Sequence, residues 1–155
     1  MWEEICGQCG TKQAPLLERR RGEMAAQQAE AEGLLKDYDF DQAERLTIAL
    51  RDESDPRLKQ LAPWATDFVA KISKAREAQL AQAGERLAEA IKHEASFDYP
   101  SAIQSLEQVP EILRNQSLTG HTETVAGALF RVEAKQSNVE ALESSIKTRI
   151  AAREL

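Results

Sequence analysis

One six-residue pattern occurs twice in this chain. It reads Tyr38-Asp39-Phe40-Asp41-Gln42-Ala43 and, 59 positions later, Phe97-Asp98-Tyr99-Pro100-Ser101-Ala102. Each copy is aromatic, Asp, aromatic, two variable residues, Ala. Each follows a helix-forming run and precedes another. Asp39 and Asp98 are placed to accept free N–H groups at the start of a new helix. Gln42 lies at capping-box spacing from Asp39. Pro100 falls in a first helical turn, where its missing N–H costs nothing. The small Ala lets two helices approach, and the aromatics are expected to fill the corner. A repeated corner of this kind predicts helical hairpins.

The flanking sequence supports an all-α chain. Leu17, Met24, Ala31 and Tyr38 recur every seven residues and predict a first amphipathic helix opened by Pro15. Ala43, Leu46 and Leu50 continue to about Arg51. Asp55 caps and Pro56 opens the next element, with a kink or restart expected at Pro63. A long helix is expected from Trp64 to about Ser96. Val125, Val132, Val139 and Ile146 fall at seven-residue intervals in the last helix, predicted from about Thr122 to the end. β-branched residues at one heptad position favour a two-stranded coiled coil, but Lys135 and Arg149 occupy the opposing position. Folding back onto the earlier helices is the competing arrangement.

Composition is 42% hydrophobic but only 5% aromatic, with 30% charged residues, as in long helices and coiled coils. The expected architecture is elongated helical hairpins, or an antiparallel coiled-coil-like bundle, with a short N-terminal knuckle. Residues 1–14 form a zinc-knuckle-like segment, residues 15–118 two hairpins with elbows at 37–41 and 96–100, and residues 119–155 a C-terminal amphipathic helix. A net charge of −6 disfavours nucleic acid or an anionic membrane as the main partner. No apolar run is long enough to span a bilayer. The N-terminus lacks a signal-peptide layout, so a cytoplasmic location is expected.

Cys6-Gly7-Gln8-Cys9-Gly10 has the form of a zinc knuckle, whose spacing sets two thiolates on one tetrahedral edge. A structural zinc site needs four ligands, so Cys6 and Cys9 make a half site only. Three readings remain open: half of a zinc ribbon whose other knuckle is absent here, a clasp in which two chains share one zinc, and free thiols. His93 and His121 read as surface or capping histidines. Arg19-Arg20-Arg21, flanked by Glu18 and Glu23, reads as a solvated, ion-paired face. Trp64, Phe68, Phe97, Tyr99 and Phe130 read as core anchors.

The elbow resembles the turn of tetratricopeptide-type repeats, although a 34-residue period does not hold. More broadly, four stretches carry a resemblance: Cys6 through Gln13, Tyr38 through Ala43, Asp55-Pro56-Arg57-Leu58, and Phe97-Asp98-Tyr99 through Gln108-Val109-Pro110-Glu111-Ile112-Leu113-Arg114. They are similar to helical segments of large bacterial multidomain proteins carrying Ser/Thr-kinase or formylglycine-generating-enzyme-like domains. That resemblance implies a knuckle-led connector and transfers no catalytic residue. The expected function is a non-enzymatic scaffold or protein–protein interaction module within a larger signalling protein, acting through a protein partner or self-association. The alternative is a zinc-ribbon module binding nucleic acid or a peptide, with the helices as its stalk.

Overall fold

The computed structural model describes residues 12–153. Over that span the chain is all-α. Helix α1 is Gln13–Lys36 and α2 is Phe40–Arg51. A 3-10 segment, Pro56–Leu61, leads into α3, Ala62–Ala95. Helix α4 is Tyr99–Glu107, a 3-10 turn covers Glu111–Leu113, and α5 is Val125–Ala151. The break expected at Pro63 is a restart: the 3-10 segment ends at Leu61, and Pro63 sits in the first turn of α3. The last helix begins at Val125, with Thr124 Oγ1 accepting the Gly127 N–H at 3.2 Å.

Both elbows have the same backbone construction. Tyr38 and Phe97 adopt left-handed conformations, with φ of 63° and 61°. The Asp39 N–H donates to the Leu34 carbonyl, and the Asp98 N–H to the His93 carbonyl, each at 2.9 Å. The Tyr38 and Phe97 N–H groups donate to the Leu35 and Glu94 carbonyls. These paired bonds form the Schellman closure of a helix, here with an aromatic where glycine is usual. The next residue then opens the following helix. Asp39 Oδ1 accepts the Gln42 N–H at 3.2 Å, and Asp98 Oδ1 the Ser101 N–H at 3.3 Å.

The chain forms two compact units, one up to Arg76 and one from Glu77 onward, so α3 contributes to both. In the first unit α1 packs on α2. Met24, Leu50, Leu58 and Ala65 form a buried cluster, with Leu17, Leu61 and Trp64 against it. Trp64 and Phe68 stack at 4.7 Å between ring centroids. Thr47 is fully buried, and its hydroxyl donates to the Ala43 carbonyl at 2.7 Å, so no buried donor is orphaned there. Arg76 pairs with Asp41 at 2.8 Å and Glu44 at 3.2 Å. Its guanidinium also lies over the Phe40 ring.

In the second unit α4 packs on α5. Leu106, Val109, Leu113, Leu118, Val125 and Val132 are all buried. Arg114 holds the connection between these helices. Its Nε donates to the Val109 carbonyl and its Nη2 to the Glu107 carbonyl, each at 2.9 Å. Those are carbonyls at the end of α4 that lack helical partners. The Arg114 carbonyl in turn accepts the Ala126 N–H in the first turn of α5.

The duplication extends well beyond the elbow. Met24, Ala31, Ala43, Thr47 and Leu50 are buried, and so are Ala83, Ala90, Ala102, Leu106 and Val109, each 59 positions on. From Leu118, within the α4–α5 connection, onward the same holds with 60 positions. Leu58, Ala65, Phe68 and Ile72 match Leu118, Val125, Ala128 and Val132. One extra residue in a connecting segment leaves the buried faces in register, because a loop absorbs an insertion that a helix cannot.

Removing either capping carboxylate, Asp39→Ala or Asp98→Ala, is expected to cost about 1 kcal/mol in chemical denaturation. Phe97→Gly is expected to stabilise the chain by roughly 0.5–1 kcal/mol, since relief of left-handed strain exceeds the added unfolded-chain entropy. The Phe97 ring is 79% exposed and loses little packing. Tyr38→Gly should give no such gain, because Tyr38 is half-buried and meets Phe40 edge-on at 6.3 Å. Arg114→Ala is expected to cost about 1–2 kcal/mol by freeing two backbone acceptors.

Candidate interaction surface

The residues singled out in the sequence are not brought to one place. Cys6 and Cys9 lie outside the described residues, as does most of the expected knuckle. Among the described residues no group of three or more His, Cys, Asp or Glu side chains is placed to hold a metal ion. His93 Nδ1 lies 3.5 Å from Asp98 Oδ2 at the second elbow. His121 lies against Gly84, where a Cβ would meet its Nε2 at 3.4 Å. An open hollow of about 500 Å³ adjoins this contact, lined in part by Glu77, Glu85 and Thr119.

The basic run is engaged within its own unit. Arg19 bonds to Glu23 at 3.0 Å and Arg21 to Glu18 at 2.6 Å. Arg20 reaches Glu53 at 3.0 Å, tying α1 to the segment after α2. The i,i+4 pairing expected from sequence is joined by a contact 33 residues apart.

Phe68 is buried, but two of the expected core anchors are not in the core. Phe97 occupies the left-handed turn position and points its ring to solvent. Phe130 is 76% exposed. It lies two residues from both Ala128 and Val132, which at about 100° per residue puts it on the opposite side of α5.

Helix α5 changes environment along its length. Its first eight residues, just over two turns, bury Val125, Ala128 and Val132. The heptad then continues through Val139, Leu142 and Ile146, with Ile150 beside it, and all four are exposed, Leu142 at 63%. The changeover is at Lys135, one of the two residues that interrupt the heptad. Lys135 Nζ bonds to Glu94 Oε1 at 2.7 Å. Arg131 also bonds to Glu94, and to Glu123 at 2.8 Å. Thus α5 is anchored by ion pairs up to Lys135, and from Val139 onward it presents an apolar stripe flanked by charge.

The Glu94 carboxyl is only 11% exposed. Burial pushes its pKa up, but the hydrogen bonds from Arg131 and Lys135 outweigh this and hold it below the usual value. Glu123 is also held low, chiefly by its hydrogen bond from Arg131. Hydrogen bonds from Arg57 lower the Asp55 carboxyl to about 2. None of the helices among the described residues is long and apolar enough to cross a membrane.

These depressed values set the direction of the pH response. A carboxyl with a lowered folded-state pKa contributes fully above its unfolded value, near 4, and loses that contribution as the pH falls through the folded value. The melting temperature is therefore expected to fall below about pH 4. Arg131→Met should lower stability at neutral pH by about 1–2 kcal/mol, a partly exposed ion pair being worth less than a buried one. It should also flatten the acid limb, read by circular dichroism melts across pH. No family model, curated protein or solved structure matches this chain.

Proposed function

We propose that this chain is a non-enzymatic helical scaffold and protein-interaction module, a connector within a larger signalling protein, and that its docking face is the second half of α5. The observation that carries this reading is the apolar stripe Val139, Leu142, Ile146 and Ile150, exposed on a helix whose first half buries one face. Four large aliphatic side chains in helical register form the pattern by which an amphipathic helix meets another helix. A contiguous apolar strip rimmed by charge marks interaction sites more often than scattered single residues do. The second unit supplies the base for it, with Arg131, Lys135, Glu94 and Glu123 fixing the helix where the stripe begins.

Recognition of nucleic acid or a peptide through a zinc ribbon has less support, because Arg19, Arg20 and Arg21 already have acidic partners in the chain.

Photo-crosslinking tests the docking face. With benzoylphenylalanine replacing Leu142 or Ile146, a discrete protein adduct is expected. The same replacement at Ser144, on the opposite side of the helix, should give none. Equal adducts at all three positions, or none at any, would overturn the reading.

A further inference from the structure

Val139, Leu142, Ile146 and Ile150 form one apolar face on the second half of α5, and all four are exposed. Four aliphatic side chains at helical spacing fit the face of another helix.

The charges along this face select which helix. Glu140 and Glu143 come first, and Lys147 and Arg149 follow. The segment is acidic at its beginning and basic at its end, with the apolar residues between. Such a segment is complementary to itself in the antiparallel orientation only. A parallel pair would set acids beside acids and bases beside bases. In an antiparallel pair centred near Ser144, Leu142 of one copy meets Ile146 of the other, and the two-fold axis repeats the contact. The acidic end of each copy lies along the basic end of the other. Arg149, which interrupts the heptad, falls beside the Glu140 end of the opposing helix.

We propose that the exposed half of α5 is a self-association surface, occupied by the same segment of a second copy of this chain in an antiparallel two-helix contact. This rests on the interaction reading above and names its partner. The helix from Val139 to Ile150 spans about 18 Å. A seam that short buries less than a standard stable interface, so the dimer forms and dissociates with concentration.

Sedimentation equilibrium of the full chain between about 5 and 500 μM tests this across the range where a small interface titrates. The weight-average mass is expected to rise from the 17.3 kDa of one chain toward twice that value. Leu142→Asp with Ile146→Asp should weaken the association at least about tenfold, as the loss of central apolar anchors does. Both positions are exposed, so circular dichroism melts should be unchanged. Glu140→Lys with Glu143→Lys should weaken self-association, and mixing with a Lys147→Glu, Arg149→Glu chain should restore a dimer. In a Cys6→Ser, Cys9→Ser background, Val139→Cys should not form a disulfide across the dimer, since antiparallel helices hold the two copies of position 139 at opposite ends. A monomer throughout the range, a dimer indifferent to the aspartates, or efficient disulfide formation at position 139 would each overturn the proposal. A crosslinked adduct to a different protein at position 142, with no self-association, would remove the second copy and leave the interaction reading standing. Neither adduct nor dimer would remove both.

Discussion

The fold depends on a single aspartate at each corner doing two things at once. The backbone N–H of Asp39 closes the helix behind it by bonding to the Leu34 carbonyl, and its carboxylate opens the helix ahead through the Gln42 N–H. Asp98 does the same between the His93 carbonyl and Ser101. Because one residue belongs to both closures, the chain has no slack between the helices. The direction of the second helix follows from the end of the first. Four residues on, in the first turn of the second helix, Ala43 and Ala102 are both fully buried. A larger side chain there would hold apart helices whose angle the corner has already set.

Ion pairs play a more local part. Most are exposed and contribute little individually. The group around Glu94 differs because that carboxylate is largely buried and has two cationic donors. Arg131 and Lys135 lie one helical turn apart on α5 and converge on one carboxylate from a different helix. The heptad positions before this group face the core and those after it face solvent. A lysine that breaks an apolar heptad reads as a defect in isolation. In the folded chain it is the point where the helix leaves its own core.

Local and non-local features differed in how far the residues alone disclosed them. The two Asp caps, the Pro56 start and the restart at Pro63 were legible, because caps and first-turn prolines act within four residues. The alternation that buries Met24 and Ala31 was legible as a seven-residue recurrence. The fate of Phe97 and Phe130 was not. Hydrophobicity marks a ring as suited to burial, but a left-handed φ at Phe97 and the helical phase at Phe130 send both outward. Arg114 and Arg131 gave no signal among many arginines, since their partners are set by how the chain turns. The thiols of Cys6 and Cys9 lie beyond the described residues, so the candidate zinc half site stands on its spacing alone.

The residues by themselves determined that this chain is helical, where its helices break, and that the break is used twice. Those properties follow from interactions within a turn or two of the backbone, which any segment carries with it. Only the tertiary structure decided which apolar positions on α5 find a core and which do not. Val132 and Val139 have the same chemistry and the same heptad position, one buried and the other exposed. The physical reason is that burial needs a neighbour: Arg131 and Lys135 tie α5 to Glu94 before the exposed positions begin.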